Sequence, residues 1–129
     1  MSFIVNDVLG TIESKYRIKR SSLQRAVLGA SSGGNISLAL GITYPNIFGN
    51  VAAQSSQIQT FISDYFKNQP KLNLKLYLDL GTYDISSIIG WVRAFVPVIQ
   101  SKGYQYIYRE YNEGHSWGNW RAHIDDGLI

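Results

Sequence analysis

The sequence predicts an α/β fold: a mainly parallel sheet of about four strands in a three-layer sandwich with helices. Three observations lead there. Short runs of β formers alternate with runs of helical period along the 129 residues, the signature of βαβ units with right-handed crossovers. Glycine, proline and asparagine punctuate the junctions. One junction, Arg25-Ala-Val-Leu-Gly-Ala-Ser-Ser-Gly-Gly-Asn35, runs from a short apolar strand through a glycine-flanked serine into a helix.

Each element has its own reason. Phe3, Ile4, Val5, Val8, Leu9, Ile12 and Tyr16 recur at helical spacing and predict an amphipathic helix over 3–16, weakened at Gly10. Ser21-Ser22 reads as a turn or cap, and Arg25 to Leu28 as the first strand. Gly34 to Thr43 is helical and stops at Tyr44-Pro45-Asn46. Val51 to Gln54 is a second strand. Gln59 to Lys67 is a helix with Phe61, Ile62, Tyr65 and Phe66 to one side. Leu72 to Leu80 alternates as the third strand. Ser86 to Lys102 is helical, with Pro97 expected to kink or restart it. Tyr104 to Glu110 is the fourth strand, and Trp117 to Leu128 a closing amphipathic helix. The whole, residues 1–129, is expected to be one domain, without repeats or linkers.

Composition narrows the function. At 45% hydrophobic and 16% charged, the chain is globular in character. The net charge of +3 is scattered, and Lys15 to Arg25 lacks interleaved aromatics, so nucleic acid is not an expected partner. With no cysteine, disulfides, thiolate catalysis and cysteine-ligated metals are excluded, and neither metal nor cofactor is expected. Ile85 to Ile99, the most apolar run, contains Arg93 and Pro97 and is too short for a bilayer. Met1-Ser2-Phe3 opens straight into the helical pattern, so a cytoplasmic protein that does not enter the membrane is expected.

Gly29-Ala30-Ser31-Ser32-Gly33 fits G-x-S-x-G, in which a serine sits on a strained strand-to-helix turn. Glycines two before and two after are expected where strand and helix approach too closely for side chains. The helix N-terminus beneath favours developing negative charge. A serine nucleophile needs a base, and the base an orienting acid. His115 follows the fourth strand, on the sheet edge where Ser31 emerges and where ligands of open α/β sheets bind. His123 falls inside the closing helix and reads as a partly exposed helix residue. Asp84 follows the third strand, and its alternative role is to cap the next helix. Asp79 is the second candidate acid. Ser31, Asp84 and His115 then stand in the chain order of α/β-hydrolase triads. Trp117 and Tyr83 are candidate substrate-binding residues. Trp117 alternatively braces its loop, and Trp120 is expected to pack the last helix on the sheet.

Four stretches carry a resemblance: Arg25 to Gly34, Tyr44 to Val51 with Ser55-Ser56, Leu78-Asp-Leu-Gly-Thr-Tyr-Asp84, and Tyr111-Asn-Glu-Gly-His-Ser-Trp-Gly-Asn-Trp-Arg121. They resemble the "Putative esterase" family of α/β-hydrolases, and its enterochelin-esterase-like branch through Glu113 to Arg121. The resemblance implies a serine carboxylic-ester hydrolase acting on a small-molecule ester, with Ser31 as nucleophile, Asp84 as acid and His115 as base. Ser32 corresponds to the position, often methionine in the family, whose N–H lines the oxyanion hole. The family's domain is substantially longer, and this chain resembles its carboxyl-terminal half. The other half would carry further strands, a cleft wall and the second oxyanion donor, whose loss costs about 10²–10³ in rate. A second expectation follows: a catalytically weak module that persists through self-association, as a homo-oligomer, or through a partner completing the missing amino-terminal half. Either would cover the Arg25–Leu28 strand, which becomes an exposed edge.

Overall fold

In the computed structural model, which describes residues 1–128, four strands form one parallel sheet in the order β1-β2-β3-β4. They are β1 (Ala26–Ala30), β2 (Asn50–Gln54), β3 (Lys75–Tyr83) and β4 (Gln105–Gly114). The helices are α1 (Leu9–Lys15), α2 (Ser32–Thr43), α3 (Thr60–Asn68), α4 (Ser86–Ser101) and α5 (Trp117–Ala122).

Strand alternation divides the core between two faces. Val51 and Ala53 of β2 and Leu76, Leu78 and Leu80 of β3 face one way. They are buried against Leu38 and Ala39 of α2, Ile62 and Phe66 of α3, and Val92, Phe95 and Ile99 of α4. Phe66 meets Phe95 edge-on at 5.1 Å and Tyr104 at 5.0 Å, a packing that aromatic quadrupoles favour. The opposite face presents Ala52, Gln54, Tyr77 and Asp79, covered by α5 and a 3-10 turn at Asp125–Leu128. There the Gln54 amide donates to the Trp120 carbonyl at 3.1 Å and to Asp79 Oδ2 at 2.9 Å. These bonds tie α5 to the middle of the sheet.

Four expectations change. The third strand begins at Lys75, not Leu72. The Leu72 N–H donates to the Tyr104 hydroxyl and the Leu74 N–H to the Leu72 carbonyl, which takes both groups out of the ladder. Helix α4 runs unbroken through Pro97. The proline is exposed, on the face opposite Phe95 and Ile99, so the carbonyl it leaves unbonded meets water. The closing helix stops at Ala122. The His123 ring, which caps it, stacks on Tyr111 at 3.5 Å, and the Tyr111 hydroxyl donates to Asp126 at 2.6 Å. These sheet contacts override the helical period. His123 is therefore a cap residue and not an internal helix residue. Finally, the amphipathic opening splits into a π-helical turn (Ile4–Val8) and α1, and neither buries a residue. Phe3, Val8 and Ile12 stay exposed, and Arg25 reaches out to pair with Glu13.

At the elbow, a Cβ on Gly29 would lie 2.3 Å from the backbone carbonyl carbon and oxygen of Gly33. A Cβ on Gly34 would lie 2.7 Å from Ser56 Oγ, whereas one on Gly33 would meet nothing within 4 Å. The close approach thus demands glycine at 29 and 34. Gly33, the last glycine of the motif, contributes its backbone and not its missing side chain. Gly29→Ala should cost about 1–3 kcal/mol, as overpacking against backbone does. Gly33→Ala should be neutral or stabilising by up to about 1 kcal/mol, the helix preference of alanine over glycine. Denaturant unfolding of the two variants tests this ordering.

Asp79 is 1% exposed. Burial raises its carboxyl above the ordinary value of 3.8, against the lowering effect of the Gln54 hydrogen bond. A raised folded-state value means that its contribution is fully present below the unfolded value and is lost as pH rises through the folded one. Asp79→Asn removes that loss. Thermal melts should show its stability relative to wild type greatest at pH 7 and shrinking toward pH 4.

Candidate active site

Ser31 caps the start of α2 with φ 56° and ψ −121°. A left-handed φ costs a non-glycine residue free energy and persists only where its surroundings enforce it. Here the enforcement is visible. The Ser31 N–H donates to the Gln54 carbonyl at 2.9 Å, and its own carbonyl accepts from Gly34, Asn35 and Gln57. Strand β2 and the first turn of α2 together lock the serine on top of the turn.

Asp84 and His115 owe their alignment to a bulge. Strands β3 and β4 pair in register up to Gly81 opposite Tyr111, then resume with Tyr83 opposite Gly114. One residue of β3 thus faces two of β4, which shifts everything beyond by one position. The shift brings Asp84 level with His115. The ladder closes tightly there, since a Cβ on Gly81 would lie 2.3 Å from the Glu113 carbonyl oxygen.

Three side chains meet at this edge. His115 Nδ1 lies 2.8 Å from Asp84 Oδ1, and His115 Nε2 lies 3.0 Å from Ser31 Oγ. A carboxylate only accepts, so Nδ1 carries the proton and Nε2 is left to accept from the serine hydroxyl. The Asp84 side chain is fully buried and also accepts from the Ile85 N–H at 2.7 Å; the His115 side chain is 21% exposed. Asp84 does not cap α4, whose N-cap is Ile85. Asp79 is held by Gln54, and the acid hydrogen-bonded to His115 is Asp84. The ring of Trp120 stands edge-on to His115 at 4.9 Å and to Trp117 at 5.1 Å. Trp120 is buried, as expected of the residue that seats α5.

The N–H of Ser32 lies in the first turn of α2, where no intrahelical acceptor exists. A cavity of about 640 Å³ opens beside Ser31, walled by Leu28, Trp117, Trp120 and Ile124, with Arg121 among its lining residues. Trp117 is 77% exposed and borders this cavity; Tyr83 is equally exposed and does not. Sequence reading missed Gln54 and Asn119. The Gln54 side-chain amide donates to the Trp120 carbonyl of α5 and its backbone carbonyl accepts from the Ser31 N–H, and Asn119 donates to the Gly114 carbonyl at 3.1 Å. Gln54 belongs to no motif, and Asn119 lies within the Glu113 to Arg121 stretch without a role of its own there; only the tertiary fold brings both to the site. Among the described residues, no helix is long and apolar enough to cross a membrane.

Known proteins are similar to this chain in sequence or in fold. The chain is 24% identical over 136 residues to protein YjcH of Bacillus subtilis (strain 168), covering 98% of this chain and 57% of YjcH. A ferulic acid esterase superposes with a TM-score of 0.86 at 19% identity, over 98% of this chain and 58% of the esterase. The enterobactin esterase FES of Shigella flexneri superposes with a TM-score of 0.86 at 20% identity, over 97% of this chain and 36% of FES. The chain therefore spans little more than half of YjcH and of the ferulic acid esterase, and about a third of FES. The structural likenesses establish the α/β-hydrolase type of fold. The family model described as "Putative esterase" matches residues 1–129, and the chain belongs to that family.

Proposed function

We propose that this chain is a serine carboxylic-ester hydrolase, or the catalytic half of one, with Ser31, His115 and Asp84 as its triad. The observation that carries the reading is the continuous hydrogen-bonded path from Asp84 Oδ1 through both ring nitrogens of His115 to Ser31 Oγ, at 2.8 and 3.0 Å. Ser31 Oγ attacks the acyl carbon as its proton passes to His115 Nε2. Asp84 holds the tautomer and stabilises the imidazolium. The N–H of Ser32 donates to the oxyanion. The tetrahedral species collapses, and the alcohol leaves with the proton from Nε2. Water then gives its proton to Nε2, attacks the acyl-serine carbonyl and releases the acid with Ser31 restored. Trp117 and the aliphatic walls of the cavity take the apolar part of a small ester. Tyr83, which stands outside the cavity, takes at most a peripheral contact.

A second reading concerns assembly. Among the described residues, strand β1 has β2 on one side and an open ladder on the other, and Phe3, Val8 and Ile12 are exposed nearby in sequence. Unpaired edges recruit other chains. A second copy fits such an edge by two-fold pairing of β1 with β1, giving a homo-oligomer.

Two measurements follow. Turnover of p-nitrophenyl acetate should fall to the buffer background in Ser31→Ala and by about 10³–10⁴ in Asp84→Asn, the effect of upsetting the base's tautomer. Equal rates for wild type and Ser31→Ala would refute the enzymatic reading. Sedimentation at micromolar concentration should show a dimer or larger species, and a clean monomer would refute the assembly reading.

A further inference from the structure

Ser31 and His115 leave opposite edges of the sheet. Three strand spacings separate β1 from β4, about 14 Å at 4.7–4.9 Å each. The segment after β4 must therefore fold back over the ends of β3 and β2 for the imidazole to reach the serine. Its path is set between Gly114, the last residue of β4, and Trp120, whose carbonyl is fixed by Gln54.

Asn119 sits inside that return. It is 1% exposed. Its side-chain amide donates to the Gly114 carbonyl at 3.1 Å, the peptide that joins directly to His115. Its backbone N–H is capped by Ser116 Oγ at 3.4 Å, on the other side of the histidine. Its Nδ2 also comes within 3.2 Å of where a Cβ on Gly81 would lie, so it fills the bulge that aligns the acid with the base. One buried side chain thus touches the residues flanking His115 and the strand leading to Asp84. Burying its Oδ1 with no partner among the described residues costs free energy. A hydrophobic residue of similar volume would avoid that cost but would lack the donor to Gly114.

We infer that Asn119 is a positioning residue: it sets where the His115 ring stands between Asp84 and Ser31, without touching substrate. The inference rests on the triad reading above. Displacing a reacting group by about 1 Å costs on the order of 100-fold in rate, so a loosened loop shows in kcat before it shows in binding.

The variant is Asn119→Asp, which keeps the volume and replaces the donor with an acceptor facing the Gly114 carbonyl. Asn119→Ser is the second variant if the first folds poorly. Three readouts are taken on the full chain: the melting temperature, kcat and KM with p-nitrophenyl acetate, and the downfield proton resonance of the His115 Nδ1–H bonded to Asp84. The expected result is a fall in kcat of about 10- to 100-fold with KM within about twofold, at temperatures where the variant is fully folded. The Nδ1–H resonance should shift upfield or broaden. Unchanged kcat and an unchanged resonance in a folded variant would overturn the inference. So would loss of the fold in both variants, which would make Asn119 a packing residue alone. If wild type hydrolyses nothing, the esterase reading fails, and the resonance still decides whether Asn119 positions the ring.

Discussion

The return of the chain from β4 across the sheet is the constraint on which the site depends. A parallel four-stranded sheet delivers its loops to one edge but spreads them laterally, so β1 and β4 present theirs far apart. The His115 Nε2 to Ser31 Oγ contact of 3.0 Å exists because the segment after β4 crosses two strand ends and is pinned over β2 by the Gln54 bond to Trp120. Trp120 then packs edge-on to the imidazole at 4.9 Å. The fold of the opposite face and the geometry of the site are thus one problem. The side chains that seat α5 are those that bring His115 to Ser31.

Two local devices prepare the partners for that meeting. At Ser31, a left-handed backbone is held by hydrogen bonds from β2 and α2, at a cost that only a crowded junction can sustain. At the other end, a bulge between Gly81 and Tyr83 shifts the β3–β4 register by one residue and sets Asp84 level with His115. Without the shift, Asp84 would stand opposite Gly114. Both devices work by close backbone approach, and both therefore require glycine at specific points, Gly29 and Gly81.

The elbow, the parallel sheet of alternating strands and helices, and the places of Ser31, Asp84 and His115 beyond strand ends each leave a local trace in the sequence. Glycines mark the turn at 29–34, β-rich runs mark the strands, and the polar residues follow those runs directly. The bulge leaves no such trace: Thr82 and Asn112-Glu113 fall beyond the strands expected to end at Leu80 and Glu110, and two-against-one pairing is a property of both strands together. Gly33 and Gly34 could not be ranked from the motif, because which of them faces Ser56 depends on the packing of the β2–α3 loop. The opening helix reads as amphipathic at 3–16, yet burial needs a surface to receive it, and among the described residues none does so. The closing helix ends at Ala122, short of its helical pattern, because the stacking of His123 on Tyr111 is long-range and invisible to periodicity.

If the returning segment brings His115 to Ser31 as a working base, the serine at the elbow is activated. The most direct test is covalent labelling with a fluorophosphonate, located by peptide mass spectrometry. One adduct is expected, on Ser31, and His115→Ala should abolish it at temperatures where that variant is still folded. No adduct, or an adduct that maps to Ser32, Ser55 or Ser56, would contradict it.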